Sequence, residues 1–535
     1  MEVPPSNGQP LNSEAEASRS FHIECADHDQ KKNFEAVPID TYFAAIGEFG
    51  FYQKRHFVLV GSGWLALATG MLSMVFTNHR PNWRYPGGEV QTSELPCADM
   101  ASGQVVELIN TWHSTAGEWN LVCEHQWKAT LLDSLFFVGV GFGAAWLGGL
   151  GDTLGRRKGY IIANVVLLCA SLVSAASPSF EVYVILRIFV GVGVGGSGGI
   201  TYCYMAEFMG ASWQAIIGVA QSGVFFSTAG LLLAAMSYAV PGWRYLTLAT
   251  SLVPACLVAI VVCCRIPDSP RWLLAQGKTL AATSVMQEIA RGNGTEVPKG
   301  MVLSNVSSAT GDRVHPSMLF SGVLFRRSLY MLYIWFATSF VFYGLYMNSN
   351  NLGGSLHISF ALQAITEVPA LFLGAWMLDA HGRRVTLSLS MLLSGVACTA
   401  CMFLTKVTHI TAFALLGRFG IAIHYACLYV YVSELFPTSV RSLAFGICSL
   451  AARIGGVSAP GNIFLARFHQ TLPLAVLGVF ALIGGLLHLR LPETLGKPLP
   501  QSLKDCQSAR YDVPALGSPT MRSAGNRIDA VYQGA

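Results

Sequence analysis

Asp152-Thr153-Leu154-Gly155-Arg156-Arg157 recurs as Asp379-Ala380-His381-Gly382-Arg383-Arg384, 227 positions further on, and each copy closes a long apolar run. A run of about twenty apolar residues, wound as an α-helix, is long enough to cross a bilayer. Glu207, at the end of a later apolar run, has its counterpart in Glu434 at the same separation. Two matches in one register point to a duplicated membrane protein built from two related helical bundles.

Hydropathy supports that reading. Hydrophobic residues make up 52% of the 535-residue chain, charged residues only 12%, and the mean hydropathy is +0.47. Soluble domains lie far from these values. A formal net charge of +4, scattered over short polar connections without interleaved aromatics, excludes a nucleic-acid partner. Windows of about nineteen residues place spans near 57–77, 129–150, 159–177, 182–205, 214–239 and 245–265. A second set follows near 328–347, 357–378, 385–404, 409–432, 442–464 and 471–490. The expected fold is an all-α membrane protein with twelve transmembrane helices in two pseudo-symmetric six-helix bundles.

Basic residues orient the bundles. Lys54, Arg55, Arg156, Arg157, Lys158, Arg326, Arg327, Arg383, Arg384 and Arg441 all fall on the side shared by both termini, which predicts cytosolic ends. The chain divides into a cytosolic segment 1–56, a first bundle 57–265 with an outer loop at 78–128, a cytosolic linker 266–327, a second bundle 328–490 and a cytosolic tail 491–535. Residues 1–40 are polar, predicted disordered, and lack the apolar core of a signal peptide, so the first span is expected to act as an uncleaved insertion signal.

Of thirteen cysteines, nine lie in or at the ends of apolar spans, where a thiol is a small hydrophobe. Cys97 and Cys123 share the outer loop and are a disulfide candidate in an oxidising compartment, the alternative being two free thiols. No spacing resembles a metal site, no cofactor is expected, and no Gly-x-x-x-x-Gly-Lys-Ser/Thr segment offers direct drive by ATP. The sequons at Asn293 and Asn305 fall on the inner side and read as chance matches.

Several segments resemble the organic cation, anion and carnitine transporters of the major facilitator superfamily. They are Gly47-Glu48-Phe49-Gly50, Glu118-Trp119-Asn120-Leu121-Val122-Cys123, Pro267-Asp268-Ser269-Pro270-Arg271-Trp272-Leu273, Asn351-Leu352-Gly353-Gly354, Glu434-Leu435-Phe436-Pro437-Thr438-Ser439-Val440-Arg441 and Leu491-Pro492-Glu493-Thr494-Leu495-Gly496. The resemblance runs almost end to end and implies the major facilitator fold. Two departures stand out: family members usually carry a larger, glycosylated, cysteine-rich outer loop, and Thr153 occupies a position that is often basic.

A charge at the centre of a span costs about 2.5–3.5 kcal/mol, so Arg187, Glu367, Arg418 and Arg453 should face a cavity or a partner. By resemblance, the position of Arg453 carries Asp in members preferring cations and Arg in those accepting anions or carnitine; it is expected either to hold a substrate's acidic group or to pair with a residue such as Glu367. Glu367, beside Pro369, is open to three roles: attracting an ammonium group, relaying a proton, or pairing with an arginine. The seventh span carries Trp335, Phe336, Phe342, Tyr343 and Tyr346, which suit either packing or an aromatic wall around an organic ion. Phe342-Tyr343-Gly344-Leu345 resembles a cavity element of the family, and Gln221 and Tyr425 match its cavity helices. Asp133 reads as solvated or capping, and His424 as structural.

The duplicated loops suggest a gate. Asp152, Arg156, Arg157 and Glu207 in one half, and Asp379, Arg383, Arg384, Glu434 and Arg441 in the other, are expected to make contacts when the inner face shuts and to separate when it opens. The function expected is carriage of a small organic ion, anionic or zwitterionic rather than simply cationic, by alternating access. Partners would be that ion, membrane lipid and a coupling ion such as H+ or Na+. The plasma membrane is the favoured location. A sugar-porter-like transporter and a transport-inactive receptor or scaffold remain alternatives, and an enzyme is not expected.

Overall fold

The structure is a computed structural model that describes residues 35–91, 95–297, 301–303, 316–352, 354–437, 440–497 and 500. Six membrane helices form the first half: α1 (Phe51–Thr77), α2 (Gln126–Leu154), α3 (Arg156–Ala175), α4 (Phe180–Ala206), α5 (Ala211–Ala239) and α6 (Trp243–Cys263). Six more form the second: α7 (Gly322–Met347), α8 (Leu356–His381), α9 (Arg383–Ala400), α10 (Val407–Leu435), α11 (Arg441–Ile463) and α12 (Leu472–His488).

Hydropathy locates every helix but cuts several short. The apolar run predicts α1 from residue 57, whereas the helix begins at Phe51 because its polar first turns are buried against protein. His56 bonds the Tyr204 carbonyl at 3.1 Å, and Gln53 bonds Gly47 O at 2.7 Å. Further along, α1 breaks at Ser62 and Ser73, whose hydroxyls turn back onto Leu59 O (2.8 Å) and Gly70 O (3.0 Å). Such back-bonding competes with the helical ladder.

The side of the molecule carrying the duplicated loops, called the loop face below, holds a small polar subdomain. A strand at Glu35–Val37 pairs in parallel with one at Met301–Leu303, and helices Ile39–Ile46, Pro270–Ala275 and Thr279–Asn293 pack on the inner ends of α1 and α4. Asn293, one of the two sequons, is a tether here: its side chain accepts from Tyr52 N (2.9 Å) and donates to Ile46 O (3.0 Å) and Gln53 Oε1 (2.9 Å). Asn305 and residues 1–34 lie outside the described residues, whereas residues 35–40, expected to be disordered with them, form the strand Glu35–Val37 and the start of helix Ile39–Ile46, because they pack on the linker. On the opposite face, Asn82–Arg84 and Glu107–Ile109 form an antiparallel ribbon, and Cys97 is disulfide-bonded to Cys123. Glu118 ties this loop to α6, accepting from Trp243 Nε1 at 2.6 Å and pairing with Arg244 at 2.5 Å.

Core packing is asymmetric across the membrane. Towards the disulfide face a single apolar core draws side chains from both halves, including Phe76, Phe137 and Phe226 with Tyr343, Tyr346 and Phe360. Towards the loop face the core divides: one cluster holds Tyr160, Tyr204 and Phe208 of the first half, another holds Trp335, Tyr431 and Leu435 of the second. The halves are therefore joined at the disulfide face and parted at the loop face.

Both duplicated loops turn on a glycine with positive φ, Gly155 (+102°) and Gly382 (+91°). Each lies against a carboxylate that caps the next helix: Asp268 accepts from Arg157 N at 3.1 Å, and Glu493 accepts from Arg383 N and Arg384 N at 2.9 and 3.0 Å. A Cβ at Gly155 would stand 2.2 Å from Asp268 Oδ2, whereas one at Gly87, also at positive φ (+77°), would meet nothing. Gly155→Ala is expected to lower the thermal midpoint of the detergent-solubilised protein by several degrees more than Gly87→Ala, because only the first adds a clash to backbone strain; equal shifts would contradict the packing described.

Candidate functional site

Two seams join the halves. Along the first, α5 runs antiparallel to α8, and small residues let the backbones approach: a Cβ at Gly223 would lie 2.7 Å from Leu371, and one at Gly230 2.9 Å from Ala364. Between these glycines Ser227 faces Glu367. Along the second seam α2 meets α11, where a Cβ at Gly141 would lie 3.8 Å from the Cβ of Arg453 and one at Gly456 would lie 2.9 Å from the Phe137 ring. Phe226, beside Ser227, and Arg453 are related by the same 227-residue offset as the loops, so Glu367 and Arg453 stand at matching depths on opposite seams.

Glu367 is fully engaged. It forms an ion pair with Arg418, accepts from Tyr346 Oη at 2.7 Å, and accepts from Ser227 Oγ at 3.0 Å. Arg418 is 0% exposed, and its guanidinium is sandwiched over the rings of Phe342 (3.7 Å) and Tyr346 (3.9 Å) while Nη1 donates to Phe342 O at 3.0 Å. Carboxylate, guanidinium and π-faces thus neutralise one another inside the membrane.

Arg453 is different. The structure does not place Glu367 beside it, and no carboxylate among the described residues lies within ion-pair distance. Its Nε is enclosed without a hydrogen-bond partner, and it lies in electrostatic range of Tyr343 and Tyr429. Around it runs a chain of rings: Phe137 to Tyr343 at 5.0 Å, Tyr343 to Phe342 at 5.3 Å, Phe342 to Tyr425 at 4.9 Å and Tyr425 to Tyr429 at 5.9 Å.

The remaining expected residues separate into two groups. Trp335 lies a ring further towards the loop face, edge-on to Tyr429 at 5.0 Å, whereas Phe336 turns away onto Phe340 and Phe480 and is packing. Gln221 is on α5, but its side chain lies outside the described residues. His424 is buried against His488 and Thr338, as a structural histidine would be. Arg187 bonds Ser73 at 3.4 Å and covers the Phe136 ring. Asp133 is neither free in solvent nor a helix cap: half-buried in α2, it accepts from Asn78 at 3.0 Å, because the loop after α1 folds back over it.

At the loop face each half carries its own ion cluster. Arg156 pairs with Glu207 at 2.8 Å and with Asp152; Arg383 pairs with Glu434 at 3.1 Å and Asp379 at 3.5 Å. Two expectations need correction. Arg157 and Arg384 do not reach Glu207 or Glu434; it is their backbone N–H groups that are used, by Asp268 and Glu493. Arg441 bonds Phe436 O at 3.3 Å, with no ion pair to Glu434 among the described residues. The pairs are internal to each half and are made while the two loop-face cores stand apart, so they do not separate merely because this face is parted.

Two repeated six-helix bundles, with charged and aromatic side chains gathered at mid-depth between them, define a membrane transporter of the alternating-access type. Comparison with known proteins agrees. The family model for sugar (and other) transporters matches residues 99–502. An Arabidopsis thaliana protein named organic cation/carnitine transporter 4 is 34% identical over 85% of this chain and 88% of its own length; a Xenopus laevis solute carrier family 22 member 15-like protein is 30% identical over 91% and 100%. The xylose transporter XylE of E. coli, in a partially occluded inward-open conformation, superposes with a TM-score of 0.61 at 17% identity, covering 84% of this chain and all of that one. The chain belongs to the sugar (and other) transporter family of the major facilitator superfamily, and its relatives include organic cation/carnitine transporters. It is an integral multi-pass transporter of small molecules and not an enzyme.

Sequence reasoning passed over Arg418 as the partner of Glu367, and over Ser227 and Tyr429. The signal for two of them was present: Phe342 and Tyr346 on α7, and Tyr425 and Tyr429 on α10, are spaced i, i+4 and so share a helix face. Removing one member of a buried ion pair strands the other at a cost of about 3–5 kcal/mol. Arg418→Met and Glu367→Gln are each expected to reduce folded yield and thermal midpoint sharply, and the double variant to lose less than the two single losses added together; strict additivity in a thermal-melt cycle would show the pair to be uncoupled.

Proposed function

We propose that this transporter carries small organic ions with an acidic group, anionic or zwitterionic, by alternating access, with Arg453 holding the acidic group. The observation that carries the reading is the charge left over at mid-depth. Glu367 is matched by Arg418, while Arg453 meets no carboxylate among the described residues. The site therefore presents one surplus positive charge. A guanidinium in a low-dielectric vestibule binds a carboxylate through two parallel hydrogen bonds, and a bare ammonium cargo would be repelled.

Tyr343, Phe342, Tyr425 and Trp335 supply ring faces beside that charge, suited to the organic or quaternary-ammonium end of the cargo. Gln221 belongs to the same cavity by its place on α5. The carnitine transporter among the relatives supports a zwitterion. Cargo movement is downhill, exchanged or coupled to H+ or Na+; with both oxygens of Glu367 occupied, a proton site there would first have to release Arg418. The positive residues at the loop face support cytosolic termini and a plasma-membrane location with the disulfide loop outside. Sugar carriage remains the second reading, supported by the fold shared with XylE, but the site is charged and aromatic where a sugar site would be rich in amides.

Uptake into vesicles of carnitine, para-aminohippurate and a model cation, each with and without a pH gradient and with glucose as competitor, tests this. Arg453→Asp is expected to abolish anion and zwitterion uptake, and Arg453→Lys to raise KM about tenfold, roughly the loss of one charge-assisted hydrogen bond. Unchanged KM in Arg453→Asp would overturn the assignment. At the loop face, Asp152 and Asp379, although paired with Arg156 and Arg383, are 69% and 85% exposed and accessible to the opposite half when that face closes. Asp152→Asn should lower turnover more than surface expression, checked by uptake normalised to surface labelling.

A further inference from the structure

The first seam contains a link between the halves that does not depend on which ion is carried. Gly223, Ser227 and Gly230 climb α5 in steps of four and three, and Leu371, Glu367 and Ala364 descend α8 in the same steps, so the three pairs meet in register. The glycines bring the helices together, and the residue between them is a hydroxyl aimed at a carboxylate. Ser227 is buried, and its Oγ donates to Glu367 Oε2 at 3.0 Å. The other oxygen, Oε1, is taken up within the second half by Tyr346 and Arg418.

The two oxygens of Glu367 thus face different bodies. Any movement that parts α5 from α8 leaves Oε1 undisturbed and strips Oε2 of its donor. A carboxylate oxygen without a donor at this depth is unfavourable until water or another hydrogen reaches it. Hydrophobic contacts beside this seam that also join the halves, Phe76 of α1 with Phe360 at 4.8 Å and Phe226 with Tyr346 of α7 at 6.2 Å, lack this directional requirement.

We propose that Ser227 is a positioning residue of the transport cycle: its hydroxyl latches the first half to the Glu367–Arg418 pair and sets how readily the disulfide face opens. The inference rests on the alternating-access reading and not on the identity of the cargo. Ser227→Ala removes the latch and keeps the small side chain that the seam requires. Ser227→Thr restores the hydroxyl.

The test uses the full chain in lipid nanodiscs with no cargo, carrying Phe360→Cys as a reporter, since residue 360 is fully buried on this seam. Labelling by a polar thiol reagent, measured above the background of the chain lacking Cys at that position, reports opening. Adding Ser227→Ala should raise the labelling rate about tenfold or more, the factor corresponding to one hydrogen bond to a charged group, and Ser227→Thr should return it to the parent rate. In uptake assays the Ala variant should change turnover more than KM, because the residue acts on the opening equilibrium. An unchanged labelling rate in Ser227→Ala, or Thr labelling as fast as Ala, would overturn the proposal. Because no cargo enters the labelling assay, failure of the Arg453 reading leaves its outcome intact.

Discussion

A carboxylate and a guanidinium cannot rest singly in the interior of a bilayer, and the arrangement of this molecule at mid-depth follows from how each is answered. Glu367 and Arg418 answer one another, with two aromatic faces and a backbone carbonyl completing the shell around the arginine. The cost of desolvating both ions is offset by the ion pair, the ring faces and the bonds of the Glu367 oxygens, although Arg418 Nε, like Arg453 Nε, is enclosed without a hydrogen-bond partner. Arg453, on the other seam, has no carboxylate within ion-pair distance among the described residues, and under the proposed function its charge is answered by the cargo.

The two halves share a scaffold and differ in what they hang on it. Gly155 and Gly382, Asp268 and Glu493, Arg156 and Arg383, Glu207 and Glu434 make corresponding contacts in the two halves, because each loop must solve one problem: turning sharply out of a helix and capping the next. At mid-depth the likeness ends. The seam of α5 with α8 carries a hydroxyl against a carboxylate, whereas the seam of α2 with α11 carries a glycine against an arginine. Symmetry holds in the loops and is broken between the halves at mid-depth.

Much of this was legible in the residues. Twelve spans, the repeat and the loop clusters follow from apolar run length and from one recurring offset, since bilayer thickness and duplication both leave periodic traces. Arg453 and Glu367 stood out as needing a cavity or a partner because charge in a span is expensive. Their partners were not, as pairing depends on helix rotation and on which bundle supplies each neighbour; nothing in the composition of α10 says that Arg418 points at Glu367. The true start of α1 was hidden for a related reason: the apolar run begins at residue 57, and nothing in the sequence shows that Asn293 covers Gln53 or that Tyr204 and Phe208 cover His56. Arg157 and Arg384 misled in the opposite sense, their side chains suggesting a role that their backbone amides perform.

Among the described residues, the polar subdomain at the loop face is joined to the first bundle through Asn293 and the apolar contacts of helix Thr279–Asn293. In a machine that works by rocking one bundle against the other, such a piece is a passenger on one rocker. A pull applied to it would reach α1 and α4 before it reached the charges at mid-depth.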